Sequence, residues 1–237
     1  NNDFLVTRQF EVQTLSGGKI IPDIVVFING IPVVVIECKS PLLEKSGNEN
    51  IGKKEAYEQL RRYMNERDAS FGEGNPKLFY TNFFTMILNK YHGYIGTISS
   101  KYDQYLEWKD PYPFEKSDIE DVENFGQNIL LQGVLEKNNL LDLMRNFVLF
   151  ETESGTTIKK VSRYQQFRAV NKAIDRILNG RDKLQKGGVI WHTQGSGKSI
   201  TMVFLARKIR RIDELKNSTI VVVTDRIDLD KQIYNTF

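Results

Sequence analysis

The chain has 237 residues, 40% hydrophobic and 27% charged, with a formal net charge of +3 at pH 7. That composition is globular and the length suits one large domain or two smaller ones; no apolar run approaches the roughly 20 residues of a membrane span, and no secretory signal opens the chain. Cys38 is the single cysteine, which excludes an internal disulfide and a cysteine-built metal site and fits a reducing, cytoplasmic setting. The start Asn1-Asn2-Asp3, without Met, reads as a piece of a longer protein. Charge is uneven. Residues 1–150 carry 16 Lys and Arg against 21 Asp and Glu, whereas residues 151–237 carry 17 against 9. A basic last third is compatible with nucleotide and nucleic-acid partners, or with a solvated lysine-rich surface.

Gly17 to Pro41 reads as two strands joined at Asn29-Gly30, a strong hairpin signal. Asp23 falls on the first strand, and Glu37-Cys38-Lys39 ends the second. Alternation along a strand puts Glu37 and Lys39 on one face and Cys38 on the other, with Asp23 brought beside them. Two carboxylates on adjacent strands offer hard oxygen ligands for Mg²⁺, and a lysine beside them can orient water and offset phosphate charge. A salt-bridged strand end is the plainer reading. Asn50 to Asp68 has helix-forming composition, with Gln59 and Tyr63 at i and i+4 on one face; a half-buried tyrosine is the plainer reading there.

Gly72, Gly74 and Pro76 break the chain, strand character resumes near residues 77–100, and Tyr102 to Glu123 reads as an irregular excursion. Ile129 to Phe150 is helical with an interruption near Asn138-Asn139. The polar stretch Glu151 to Arg163 is the expected domain boundary, dividing residues 1–150 from 151–237. A helix (Tyr164 to Leu178), a strand (Gly188 to His192), a helix (Lys198 to Ile212) and a strand (Thr219 to Thr224) then imply a parallel sheet. Between the first of those strands and its helix lies "HTQGSGKS". Gly195 and Gly197 permit a tight turn, Lys198 can reach β/γ-phosphates, Ser199 can bind Mg²⁺, and Thr193 and Ser196 complete the candidate loop. His192 stands where the general pattern has its first glycine.

These motifs carry resemblances. Pro22-Asp23 followed by Glu37-x-Lys39 resembles the PD-(D/E)xK nucleases, and Gln59-x-x-x-Tyr63 resembles the helix element of their RecB-type members. "HTQGSGKS" resembles the phosphate loop of superfamily 2 helicases, in which Gln166 would meet the adenine edge, unless it is a surface glutamine. Thr224 and Arg226 fall on the loop that touches nucleic-acid backbone in that superfamily; Arg226 could equally flank a helix. Nuclease, helical connector and motor in this order resemble the restriction (motor) subunit of type I restriction–modification enzymes. The resemblance implies an α/β architecture, a PD-(D/E)xK mixed sheet followed by the first part of a RecA-like parallel domain. It also implies Mg²⁺ and ATP as cofactors, duplex DNA as substrate, and methyltransferase and specificity subunits as partners. Asp23, Glu37 and Lys39 would cut, supported by Gln59 and Tyr63; the remaining helicase motifs would follow Phe237, so the chain alone is expected to bind ATP weakly without turnover. Other readings are a nuclease–helicase of DNA repair, or a non-catalytic DNA- or nucleotide-binding module with a vestigial nuclease site.

Overall fold

The Asn29-Gly30 turn sets the architecture. In the computed structural model, which describes residues 1–42, 51–66, 72–121, 126–153 and 155–223, both turn residues take positive φ (53° and 77°). That backbone matches the twist of a tight hairpin. It joins β4 (Ile24–Ile28) to β5 (Ile31–Cys38), paired antiparallel from Ile28↔Ile31 to Ile24↔Ile36. The chain divides into two units, one comprising residues 1–144 and 148–161, the other residues 145–147 and 162–237.

The first unit is built on a six-stranded sheet ordered β1-β4-β5-β6-β7-β8. The other members are β1 (Phe4–Arg8), β6 (Phe84–Leu88), β7 (Gly93–Gly96) and β8 (Leu106–Glu107), with β1 and β8 at the edges. Only the β5–β6 pairing is parallel, with Glu37 opposite Ile87. A two-stranded ribbon, β2 (Val12–Gln13) with β3 (Lys19–Ile20), precedes the hairpin. Central strands covered on both faces read as continuous apolar runs, and Val33 to Ile36 are at most 2% exposed. Helix α1 (Ile51–Tyr63) lays Ala56, Leu60 and Tyr63 against Val25, Val35 and Ile87. The stretch from Tyr102, expected to be irregular, supplies edge strand β8 and the buried Tyr105 and Trp108.

Helices α2 (Gly126–Leu135) and α3 (Lys137–Asn146) break at Glu136, two residues before the expected interruption. Glu136 causes the restart, since its carboxylate accepts the N–H groups of Asn138 and Asn139 at 2.9 and 3.1 Å. The end of the expected helix is instead a strand. β9 (Val148–Glu153) pairs antiparallel with β10 (Thr156–Val161), largely in the stretch read as a boundary, and the units part after Val161.

In the second unit, α4 (Tyr164–Asn179) and α6 (Lys198–Ile209) bury Phe167, Val170 and Phe204 around Phe147, with the short α5 (Lys183–Lys186) between them. The expected strands at Gly188–His192 and Thr219–Thr224 are not formed in their described residues. Val189, Trp191, Val221 and Val223 are 77–93% exposed. A β-branched run becomes a strand only when a neighbour takes its N–H and C=O groups, and among the described residues neither run has one. The parallel sheet of a RecA-like domain is therefore absent from the described part of this unit. No described helix is long and apolar enough to cross a membrane.

Candidate functional site

The β4–β5 ladder ends at Ile24↔Ile36, and the same register extended by one residue puts Asp23, immediately before β4, level with Glu37. Asp23 Oδ2 accepts the Cys38 N–H at 2.8 Å, fixing the carboxylate against the strand between Glu37 and Lys39. The Lys39 N–H bonds Leu88 O at 2.8 Å, so β6 holds the other side of the strand end. Glu37 points inward and is 1% exposed, while Lys39 lies at the rim.

Lys39 Nζ donates to Glu37 Oε1 at 3.3 Å and to Gln59 Oε1 at 2.5 Å. Gln59 Nε2 donates to Tyr63 Oη at 2.6 Å, and Tyr63 Oη donates to Ile21 O at 3.1 Å. One turn of α1 thus fixes the lysine through an amide whose two ends are both used. The i, i+4 spacing that paired Gln59 with Tyr63 in the sequence is realised as a direct bond. What the sequence missed were main-chain members, the Cys38 N–H and the Ile21 carbonyl, because backbone groups leave no residue-type signal.

Glu37 Oε2 is buried without a hydrogen-bond partner. Burial first, then the adjacent Asp23 charge, pushes the Glu37 carboxyl up to about 8, with Lys39 pulling the other way. Burial also raises the Tyr63 phenol above its ordinary value. A buried carboxyl with one orphan oxygen beside a second carboxylate has the chemistry of an anionic oxygen donor set for a hard divalent cation. Among the described residues no cluster of three or more His, Cys, Asp or Glu could hold a metal.

In the second unit Gly195 and Gly197 take positive φ (76° and 84°), and Gly197 caps α6. Ser196 N and Oγ both bond Thr193 O, at 3.3 and 2.7 Å, closing the loop. Lys198 Nζ rests on His192 O and Thr193 O at 3.1 and 3.0 Å, and Ser199 follows it in the first turn of α6. Gln166 is 3% exposed, which removes the surface-glutamine reading. Its Oε1 accepts the Arg163 N–H at 2.8 Å and its Nε2 donates to Gly197 O at 3.0 Å, so it caps α4 and braces the loop from beneath. A Cβ on Gly197 would lie 2.6 Å from that amide nitrogen, a second reason for glycine there. Thr224 and Arg226 lie outside the described residues.

Residues 1–104 match the family described as type I restriction enzyme R protein N terminus, and residues 165–237 match the SWI2/SNF2 ATPase family. The whole chain aligns at 40% identity with the type I restriction enzyme HindI endonuclease subunit of Haemophilus influenzae, covering 21% of that protein. The chain matches the endonuclease subunits of type I restriction enzymes. Two Methanocaldococcus jannaschii proteins agree. The putative MjaIXP endonuclease subunit is 31% identical over all of this chain and 23% of its own length. The putative MjaVIIIP endonuclease subunit is 32% identical over 94% of this chain and 20% of its own. The chain spans about a fifth of the length of these relatives.

Proposed function

We propose that this chain is part of a type I restriction subunit that hydrolyses phosphodiester bonds of duplex DNA at a Mg²⁺-dependent site, coupled to ATP-driven DNA translocation. The unit of residues 1–144 and 148–161 is the nuclease domain, of PD-(D/E)xK type, and the unit of residues 145–147 and 162–237 begins a RecA-like motor. The reading includes methyltransferase and specificity subunits as partners and a cytoplasmic location. The observation that carries it is the buried Glu37 carboxyl, with its orphan oxygen, set against Asp23 and tied to Lys39.

Asp23 and Glu37 would hold the cation, which when bound would neutralise phosphate charge and make a coordinated water more acidic. Lys39, fixed by Gln59 and Tyr63, places one positive charge where negative charge develops on the scissile phosphate. In the motor, the N–H groups at the start of α6, with Lys198 and Ser199, would receive the phosphates and Mg²⁺ of ATP. Thr193, Gly195, Ser196 and Gly197 shape the loop, Gln166 braces it from within the fold, and Thr224 and Arg226 would touch DNA.

The test is divalent-ion binding to this chain, with Mn²⁺ and Mg²⁺ as probes. A Glu37 carboxyl held near 8 keeps a proton in the folded state that an unfolded carboxylic acid releases near 4.5. The folded state therefore binds more protons across that window, so the metal-free chain loses stability as pH rises from about 4.5 to 8. Metal must displace the same proton, so affinity should rise about tenfold per pH unit up to about 8 and then level off. Calorimetry in two buffers of different ionisation heat should count close to one proton released per ion at pH 7. Glu37→Gln should abolish the proton release and weaken binding more than about tenfold. Binding that is independent of pH and unchanged in Glu37→Gln would remove the metal from this site.

A further inference from the structure

We propose that His92 and Lys109 hold phosphates of a DNA strand beside the cutting site, on a track that runs across the strand ends from Lys39; the inference rests on the nuclease reading above. Register brings these distant parts of the sequence into line. Glu37 pairs with Ile87, Ile87 with Tyr94 and Tyr94 with Glu107. The ladders run on through main-chain bonds from Lys39 N to Leu88 O at 2.8 Å, Asn89 N to His92 O at 3.0 Å and Trp108 N to Gly93 O at 3.0 Å. Side chains two apart on a strand share a face, so the next row is Lys39, Asn89, His92 and Lys109. Ile87 and Tyr94 pack into the core beneath α1, and Lys39 bonds Gln59 on α1, so both rows lie on one face of the sheet.

The far end of these rows is a fixed cluster. Glu107 Oε1 lies 2.7 Å from His92 Nδ1, and Oε2 lies 2.8 Å from Lys109 Nζ. Burial opposes ionisation of Glu107, but the His92 and Lys109 bonds hold its carboxyl below the ordinary value. Asn89 Oδ1 accepts the Tyr91 and His92 N–H groups at 3.0 and 2.7 Å, which pins the β6–β7 turn next to Lys39. The His92 ring lies against Tyr94, with centroids 5.9 Å apart, and the Lys53 ammonium stands 4.7 Å from the Tyr94 centroid. The carboxylates nearest Lys53 are Asp103 and Glu107.

The two ends of the rows have opposite chemistry. At Glu37 one carboxylate oxygen has no partner and a second carboxylate adjoins it, which suits a cation. At Glu107 both oxygens are bonded to basic side chains, and those of His92 and Lys109 are 36% and 60% exposed, which suits an anion. With His92 as the imidazolium both ring nitrogens donate, one to Glu107 and the second to a phosphate oxygen. Lys39 and Lys109 are three interstrand spacings apart, about 14 Å. A duplex strand covers that length in about four nucleotides, at about 3.4 Å each. A row of cations at this spacing positions a backbone without reading its sequence.

The experiment uses the complete subunit assembled with its partner subunits, with circular DNA below saturation at about 0.05 and about 0.15 M salt. Lys109→Gln and His92→Gln should each lower cutting about three- to tenfold at the lower salt, and the double variant should lower it further. A lost phosphate contact takes about 0.9 from the logarithmic salt slope, so each single deficit should shrink about threefold at the higher salt. Lys109→Arg, which keeps the charge, should recover most of the loss. DNA-stimulated ATP hydrolysis and divalent-ion binding at Asp23 and Glu37 should be unchanged in all of them. Normal cutting by the double variant overturns the inference. So does a deficit equal at both salts, the mark of a local folding defect, or a deficit that comes with loss of ion binding or of ATP hydrolysis. Glu37→Ala run in parallel separates the two levels. If Glu37→Ala also cuts normally, the nuclease reading fails and the inference with it; if Glu37→Ala is inactive and the double variant cuts normally, the inference alone fails.

Discussion

Glu37→Ala in the complete subunit should abolish DNA cutting and leave DNA-stimulated ATP hydrolysis intact. Ala removes one of the two carboxylates at the site and its orphan oxygen, and the phosphate loop lies in a different unit of the chain. Lys39→Ala should do the same, by on the order of a hundred- to a thousandfold, the usual loss when one preorganised stabilising group is removed. Two effects add in that variant. The positive charge beside the phosphate is gone, and Glu37 loses the neighbour that draws its pKa downward, so its proton is held more tightly at neutral pH. Lys39→Arg should rescue little, because a planar guanidinium cannot reproduce a point contact 2.5 Å from Gln59 and 3.3 Å from Glu37 at once. Parallel assays of circular-DNA cutting and phosphate release decide the matter. Undiminished cutting by Lys39→Ala would count against its assigned role.

The strand end was legible because its determinants are local. Asn29-Gly30 fixed the hairpin, the two-residue period put Glu37 and Lys39 on one side, and the four-residue period joined Gln59 to Tyr63. Register and burial were not legible. That Asp23 would accept the Cys38 N–H, and that Glu37 would be almost fully covered, depends on the parallel partner β6 and on α1, which sequence periodicity does not place. The same limit explains the errors. Val189 to Trp191 and Val221 to Val223 have strand composition, but pairing is supplied by neighbours, and the described residues supply none. Glu151 to Arg163 reads as a boundary because it is polar and β-branched, and the two units do part within it, after Val161. What the sequence does not show is that Val148–Glu153 and Thr156–Val161 pair, because the buried Lys159 is indistinguishable in sequence from the exposed lysine of an ordinary linker.

Lys198→Ala in the complete subunit should remove DNA-stimulated ATP hydrolysis and translocation, and with them the cutting of intact circular DNA. The Lys198 ammonium is held at the loop by two carbonyls, those of His192 and Thr193, which are weak partners for a full charge. A nucleotide's β/γ oxygens would compete well for it, since charge-assisted bonds to anionic oxygens are roughly twice as strong as neutral ones. Without the lysine, transfer of the γ-phosphoryl loses its principal side-chain cation at the loop, and a loss of a hundredfold or more is the expected scale. Folding should be little affected. The lysine is exposed, and a surface substitution of this kind stays within about 0.5 kcal/mol. Divalent-ion binding at Asp23 and Glu37 should also be unchanged, because those residues belong to the other unit. The decisive comparison is between phosphate release and circular-DNA cutting in this one variant. Loss of both with ion binding intact makes cutting dependent on the motor. A Lys198→Ala enzyme that hydrolyses no ATP yet still cuts circular DNA would mean that the nuclease acts alone.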